Sequence, residues 1–540
     1  MPQDVRSVQA RESFGPLERV WELADSLAGA WAARARSTTT AGQERAILRL
    51  FGVHGLDGAG NPLAGAAVDR WLRSEGGARG GAIALPFAIA LLEYDLGPQQ
   101  LALDVAAGTI DLAMEAELLR EPDRRAVAEA EANRLADAAL ERIDANRTAR
   151  REILSLLGEP LRPWIGLTLA EPDVDGAIDE VERLVGVGAD LLRVEVPVGR
   201  ELADRMLDAG LEVPTWHPRH RPGQPGPNRG EPAPTGSQRG LAEIRTALDE
   251  AAAERRAYAR LATASPALGS PEGAVVAAFE RIDLTEANPM TEIVAHGVEP
   301  DRVLSDHVFA NRLHRRAGTI LSIPAAPLVV APDLARGVPS DAPTRAGRTL
   351  ALQALVAAVA RHGGLPDETV VLGALPAWLF EEHAPGVRGL AEVALRRALF
   401  PDHPLAFEEP ALPAERAGLW LSVVGACLPY AGETAFVAHR PADDPAATVR
   451  WARATAAVAA EVATATPARA IGGAALEHAQ AIAAAALGTL ERLADEGWTS
   501  VLGEPHRERG SRSGRATVID RGDAFDPFLS RLGQPPALNG

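Results

Sequence analysis

The stretch that decides the fold is GADLLRVEVPVG, which runs from Gly188 to Gly199. Its apolar residues form a short run that follows a helix pattern and breaks at Pro197, which is typical of a buried parallel strand. Arg193 stands alone among these aliphatic residues. Because anionic ligands bind at the carboxyl ends of parallel strands in α/β folds, Arg193 is a candidate phosphate ligand. The alternative is an ordinary salt bridge to Glu195 or another nearby acid.

Similar short apolar runs alternate with amphipathic helix patterns from Pro163 onward, as expected of repeated βα units. Eight such runs occur, and eight parallel strands close a barrel. We therefore predict an α/β fold with a TIM-like (β/α)8 barrel. An open doubly wound sheet is the alternative, although no glycine fingerprint follows any run. The predicted strands are Trp164 to Leu169, Leu191 to Val196, Glu212 to Trp216, Ala259 to Thr263, Arg281 to Leu284, Thr319 to Ile323, Thr369 to Leu372 and Leu405 to Phe407.

Helix patterns flank the barrel region on both sides. We predict an N-terminal helical accessory domain at residues 1–158, the barrel with its ligand site at residues 159–440, and C-terminal helices with a polar tail at residues 441–540. The Pro-, Gly- and Arg-rich segment from Pro218 to Pro234 is either a lid or partner-contact loop over the active-site face or a disordered insertion.

The composition bounds the class of protein. Apolar residues make up 46% of the 540 residues and charged residues 24%, which is typical of a globular protein. Neither a bilayer-spanning run nor an apolar signal core is found, so we expect a cytoplasmic protein. The net charge of -18 argues against a general nucleic-acid or membrane-surface binder. Cys427 is the only cysteine, which excludes an internal disulfide and a cysteine-based metal cluster held by this chain alone.

The sequence contains no lysine, so all 55 basic residues are arginine. A Schiff base to a side chain needs a primary amine. This chain alone therefore cannot act as a Schiff-base aldolase or as a self-contained pyridoxal phosphate enzyme.

The histidines and carboxylates give a weaker signal. The HExxH motif is absent, and His217 and His220 fit a solvated loop pair better than metal ligands, so no metal site is predicted. Glu408 and Glu409 follow the last predicted strand, where one of two adjacent acids usually faces inward and the other is solvated. One hypothesis is therefore a barrel enzyme that uses Glu408 or Glu409 together with a histidine.

Several segments resemble the large (alpha) subunit of D-lysine 5,6-aminomutase, and together they span most of the chain. The resemblance is strongest from Thr38 to Leu72, in a Thr-Thr pair, an ERA-x-x-RL-x-G helix, a Gly/Asp turn and a following helix that carries Val-Asp. It recurs in GADLLRV, in ERIDL from Glu280 to Leu284, in RAGTIL from Arg316 to Leu321, and in the tail ending FDPF.

The resemblance implies a barrel that binds pyridoxal phosphate at the carboxyl ends of its strands. It also implies a hetero-oligomer, in which a separate small subunit brings adenosylcobalamin and the lysine of the resting Schiff base. The missing lysine fits this division, and the chain lacks the D-x-H-x-x-G pattern by which such small subunits hold cobalamin. The implied activity is that of an isomerase, which moves an amino group to the next carbon of a basic amino acid such as lysine.

Four positions correspond to cofactor contacts of the family. Arg193 matches its phosphate-binding arginine. Thr291 and His296 stand where relatives carry a phosphate-side tyrosine and arginine. The serine that meets the pyridine nitrogen corresponds to Ser265 or, without a shift, to Pro266.

Two acidic positions of the family are not kept. Its active-site aspartate falls near Ala325 and Ala326, and its late glutamate near Leu428. Besides the barrel-enzyme hypothesis, two remain: an active aminomutase large subunit, or a divergent non-catalytic paralogue that acts as a scaffold or regulator of such a complex.

Overall fold

The N-terminal third of the chain is helical, as predicted. The computed structural model describes residues 14–74, 82–195, 208, 211, 233–264, 269–287, 289–294, 298–325, 341–381, 385–410, 414–439, 444–465, 471–502, 519–520, 526–528 and 531–532. Its first elements are helix α1 Leu17–Arg34, strand β1 Thr38–Thr39, and helices α2 Ala41–Leu50, α3 Leu63–Arg73, α4 Ala84–Tyr94, α5 Pro98–Ala107, α6 Leu112–Leu118 and α7 Pro122–Leu157.

Eight parallel strands then close into a barrel. Each strand pairs with the next along the chain, and the last pairs with the first through Trp164 and Phe436, so the predicted TIM-like (β/α)8 barrel is confirmed. The barrel strands are β2 Trp164–Thr168, β3 Leu191–Val194, β4 Arg260–Ala264, β5 Leu284–Glu286, β6 Ile320–Ile323, β7 Val370–Gly373, β8 Leu405–Glu408 and β9 Thr434–His439.

The closing strand β9 is the element that the sequence prediction missed. It follows a helix rich in apolar residues, and periodicity alone does not separate a short buried strand from a buried helix segment. The strand predicted at Glu212 to Trp216 lies outside the described residues. The strand predicted at Arg281 to Leu284 begins later, at Leu284, because Arg281 has a positive φ of 53°.

A helix follows every barrel strand. Asp173, Ser237 and Asp341 each precede one of these helices, and each side chain accepts a hydrogen bond from a backbone N–H in its first turn. These caps satisfy N–H groups that no helical carbonyl reaches, so they define where the helices begin. The helices are α8 Val174–Gly186, α9 Gln238–Arg255, α10 Ser270–Phe279, the short α11 Pro289–Val294, α12 Pro300–Ala317, α13 Ala342–His362, α14 Pro385–Leu399, α15 Ala414–Cys427 and α16 Pro445–Ala465; short 3-10 turns span Asp367–Thr369, Ala377–Glu381 and Leu428–Tyr430.

The last helices, α17 Ala474–Glu496 and α18 Trp498–Leu502, belong to the helical shell of the barrel. Helix α17 packs against α13 and α1, so α1 joins this shell rather than the core of the other N-terminal helices. The predicted division at residues 158 and 440 stays a prediction. In the described part of the chain, no helix is both long and apolar enough to cross a membrane.

The C-terminal tail returns to the N-terminal helices. Strand β10, Ile519–Asp520, pairs antiparallel with β1. Phe528 is completely buried in the core that α2 to α7 form, and its ring centroid lies 6.0 Å from that of Phe51. The N-terminal helical core therefore contains a side chain from the far end of the sequence.

Phe528→Ala should destabilise the protein by about 3 kcal/mol, since the substitution removes a large buried ring and leaves a cavity. Chemical denaturation followed by circular dichroism measures this loss. Leu156→Ala is the control, because Leu156 is 83% exposed and its truncation should change the free energy of unfolding by less than about 0.5 kcal/mol. Equal effects of the two substitutions would show that the tail does not contribute to the core.

Candidate functional site

The upper part of the barrel lumen carries charged side chains. Leu191, Leu284 and Ala406 lie in the apolar cluster that fills the lumen. Successive residues of a strand point to opposite faces, so the residue two positions further along each strand faces the lumen as well. Those residues are Arg193, Glu286 and Glu408, close to the carboxyl ends of β3, β5 and β8.

Arg193 forms an ion pair with Glu286. Its Nη2 lies 2.8 Å from Oε2 of Glu286, and the two side chains are 28% and 20% exposed. The Nε of Arg193 is buried without a hydrogen-bond partner. Burial alone would lower the pKa of Arg193, but the carboxylates of Glu286, Glu408 and Glu195 outweigh it and raise the pKa. The guanidinium therefore stays charged, with Glu286 as the nearby acid.

Glu408 is the group of this layer that titrates near neutral pH. Burial raises the pKa of Glu408 to about 7, and the charge of Glu286 acts in the same direction, while Arg193 opposes both. One guanidinium thus faces two carboxylates, and the second carboxylate is only partly ionised at pH 7.

Ser322 completes the polar layer. It pairs in register with Glu286, and it follows by two residues Ile320, which packs against the lumen cluster. The side chain of Ser322 is fully buried, and its Oγ has no hydrogen-bond partner. Sequence reasoning missed both Glu286 and Ser322. A usable signal was the acid at the end of LTE, two residues after an inward-facing leucine.

The other predicted cofactor contacts are not brought to this layer by the described residues. Ser265, Pro266, His296 and Ala326 lie outside them. Thr291 is part of α11, and its side chain is not described.

The positions aligned with the family's lost acids are apolar where they are described. Ala325 is buried just after β6. Leu428 begins the turn that precedes β9, at the amino end of the barrel. Leu428 therefore lies at the opposite end of the strands from Arg193.

Glu409 and His439 form the carboxylate–histidine pair that the barrel-enzyme hypothesis requires. Oε2 of Glu409 lies 3.3 Å from Nδ1 of His439, and the histidine ring packs edge-on against Trp420 at 5.1 Å. Phe407 and Val437, which share their strand faces with this pair, belong to the core between strands and helices. The pair therefore lies on the helix side of the barrel wall, apart from the lumen.

A buried polar cluster holds α11 in place. Ser270 Oγ donates to Oε1 of Glu292 at 3.1 Å, and His307 Nε2 lies 3.1 Å from the same oxygen and 3.2 Å from the hydroxyl. All three side chains are buried. Because both partners meet one nitrogen of His307, the cluster is not a relay that activates a nucleophile. It joins α10, α11 and α12, and so positions the segment that carries Thr291.

The motifs that carry the resemblance lie mainly at the amino ends of the strands. Asp190 of GADLLRV accepts the backbone N–H of Ile165 at 2.9 Å and pairs with Arg255 and Arg453. Asp190 thus ties β2 and β3 to two helices. Residues at this end of a TIM barrel serve stability, whereas the opposite end carries ligands.

Asp283 of ERIDL has the same role one strand further on. Its Oδ2 accepts from Arg245 at 2.8 Å and from the N–H of Leu261 at 2.9 Å, and its Oδ1 accepts from Tyr258 at 2.7 Å. Burial alone would raise the pKa of Asp283, but the neighbouring arginines outweigh it and lower the pKa. Arg150 of α7 also pairs with this carboxylate, so the motif fixes the N-terminal helices to the barrel.

Comparisons with known proteins agree with this fold. Residues 14–413 match the family described as D-lysine 5,6-aminomutase TIM-barrel domain of alpha subunit. The lysine 5,6-aminomutase alpha subunit of Fusobacterium nucleatum is 27% identical over 382 residues, and that of Acetoanaerobium sticklandii is 26% identical over 377 residues. These alignments cover 70% and 69% of this chain. The matched part spans 66% of each relative, slightly less than two thirds of its length.

Solved structures give a weaker likeness. The dihydropteroate synthase of Burkholderia cenocepacia has 16% identity and a TM-score of 0.34, and the match covers 56% of this chain and 94% of that one. The enzyme of Xanthomonas albilineans has 17% identity and a TM-score of 0.33, over 56% and 93% of the two chains. At these TM-scores the likeness supports no inference about fold or function.

Glu408→Gln should stabilise the protein at pH 8 and have little effect at pH 5. The folded-state pKa of Glu408 is about 7, above its ordinary value of 4.5, so the stability that the protonated carboxyl contributes is lost as the pH rises through 7. The gain at pH 8 should be on the order of 2 kcal/mol. Melting curves at both pH values test this. The same shift in melting temperature at pH 5 and pH 8 would contradict it.

Proposed function

The chain belongs to the D-lysine 5,6-aminomutase alpha-subunit family, and from this premise we propose that it is the large subunit of a two-component, cytoplasmic aminomutase. The reaction would move an amino group to the next carbon of a basic amino acid such as lysine. Pyridoxal phosphate would bind at the carboxyl ends of the barrel strands, and a small subunit would carry adenosylcobalamin. The observation that supports this most directly is the inward-facing Arg193, which keeps a buried, unpartnered Nε–H.

Arg193 fits a phosphate group. A guanidinium has five N–H donors, so the Nε side can bind phosphate oxygens while Nη2 keeps its ion pair with Glu286. When bound, pyridoxal phosphate supplies an electron-accepting ring, and adenosylcobalamin supplies a radical. This chain would bind and orient the phosphate through Arg193. It would also hold or release a proton at the carboxyl group of Glu408.

The apolar lumen below this layer would exclude water from the site. Leu191, Leu284 and Ala406 are almost completely buried there. With less water, the charges of Arg193 and Glu286 act more strongly on a bound ligand.

The absence of lysine assigns one task to the partner. The side-chain amine that holds pyridoxal phosphate covalently in the resting state has to come from outside this chain. We therefore propose a hetero-oligomer, whose small subunit contributes a lysine as well as the cobalamin.

A second candidate function is a non-catalytic scaffold or regulator of such a complex. The supporting observation is that the motifs Asp190 and Asp283 belong to serve the amino ends of the strands, where they stabilise the fold. A scaffold would keep these motifs without a working site. Assay of the chain together with a small D-x-H-x-x-G protein from the same genome separates the two functions, since amino-group migration requires the first.

Arg193→Ala should weaken the binding of pyridoxal phosphate about tenfold to a hundredfold, since each charged hydrogen bond to the phosphate contributes roughly 1.5–3 kcal/mol. Arg193→Lys should recover part of the loss, because lysine restores the charge but not the planar fork. Calorimetric titration measures the dissociation constants. The control is Arg239→Ala, which removes a surface arginine that is 50% exposed. Unchanged affinity in folded Arg193→Ala would assign Arg193 a structural role.

Borohydride treatment should attach no pyridoxal phosphate to a side chain of this protein, because it has no lysine. Mass spectrometry after reduction and dialysis measures the attachment. With the small subunit present, the reduced cofactor should appear on a lysine of that partner. A cofactor attached to any side chain of this protein would disprove the division of labour.

A further inference from the structure

The upper lumen of the barrel has more hydrogen-bond acceptors and more negative charge than its own residues balance. Among its described residues, Arg193 is the one cation, and it faces the carboxylates of Glu286 and Glu408. Only one of these two carboxylates can be neutralised by the guanidinium. A buried negative charge without a partner is costly, so the layer is suited to a positively charged ligand.

Ser322 is an independent observation that points the same way. Its hydroxyl is fully buried in the lumen wall beside Glu286, and it has no hydrogen-bond partner. Buried polar groups are nearly always paired, and an unpaired one in a native site commonly marks the place of a ligand group. The free hydroxyl therefore marks the same wall of the lumen as the unbalanced charge.

We propose that Glu286, Glu408 and Ser322 bind a primary ammonium group in the upper lumen. An ammonium group has three N–H donors, and these three residues supply one acceptor for each. Its single positive charge balances the carboxylate that Arg193 leaves unpaired. The chain has no ammonium side chain of its own, since lysine is absent, so the group has to belong to a bound molecule.

A polyvalent metal ion is a poorer match for the same place. Among the described residues, no three His, Cys, Asp or Glu side chains come together in a group that could hold a metal. Two carboxylates, one of which is paired with an arginine, give a low negative charge for a divalent cation. A monovalent cation such as potassium remains the competitor to be tested.

Binding should depend on pH through Glu408. The charged groups that act on it are Arg193 and Glu286 within the lumen. Glu195, which is exposed beyond β3, acts on Arg193. A cation binds the ionised carboxylate, whereas an alkylammonium keeps its proton throughout, with a pKa of about 10.4. Since the pKa of Glu408 is about 7, affinity should rise about tenfold from pH 6 to pH 8.

Calorimetric titration of n-butylammonium chloride into the purified chain, at pH 8 and constant ionic strength, tests the proposal. Glu408→Gln and Glu286→Gln should each weaken binding at least tenfold. Ser322→Ala should weaken it about threefold to tenfold, because one acceptor is lost. The matched control is Glu409→Gln, which removes the same charge from the neighbouring residue on the helix side of the wall and should leave affinity unchanged.

Two further probes define the ligand class. Tetramethylammonium has the same charge but no N–H donor, so it should not bind measurably. Potassium chloride should not compete at equal concentration. Binding of tetramethylammonium as tight as that of butylammonium, or displacement by potassium, would overturn the ammonium assignment. An equal effect of Glu409→Gln and Glu408→Gln would show a general charge effect, and it would overturn the site itself.

Melting curves without the probe separate loss of the site from loss of the fold. Only variants that unfold within a few degrees of the wild type are compared. The titration needs neither pyridoxal phosphate nor a small subunit. The ammonium site can therefore fail while the aminomutase proposal stands, and the reverse holds as well.

Discussion

Closure of the barrel by the pairing of β9 with β2 is the constraint on which the rest of the structure depends. Once the sheet closes, alternate residues of every strand must face either the lumen or the helices. Arg193, Glu286 and Glu408 converge because each stands two positions beyond an apolar lumen residue of its own strand. The same alternation turns Glu409 outward to His439. Two adjacent glutamates are thereby assigned to different environments, and only one of them can meet a ligand.

Individual strands were more predictable than the contacts between them. The strand that carries Arg193 and the barrel it belongs to follow from the apolar pattern and the number of βα units. The partner of Arg193 does not, because Glu286 lies two strands away and the pairing register that aligns β3, β4 and β5 is not written in any local pattern. Strand β9 was missed since its apolar run continues that of the preceding helix. The adjacent acids were expected as one inward and one solvated residue; the inward one is Glu408, but Glu409 is partly buried beside a histidine.

The family resemblance and the candidate site occupy opposite ends of the barrel. Asp190 and Asp283, which belong to the recurring motifs, collect backbone N–H groups and arginines at the amino ends. They explain why the sequence keeps the fold of its relatives at 26–27% identity. The carboxyl ends are under a different constraint, because ligand chemistry is set there by a few side chains that can change without loss of the fold. Family membership is therefore firmer evidence for the barrel than for the molecule it binds.

The return of the tail to the N-terminal helices affects how the protein emerges from the ribosome. Phe51 and Phe528 meet in one core, although roughly 480 residues separate them in the sequence. At about 5–20 residues per second, translation needs on the order of half a minute to a minute and a half to cover that distance. During this interval the nascent helical domain lacks one of its core side chains. Its exposed apolar surface would be a natural substrate for chaperones until synthesis reaches the tail.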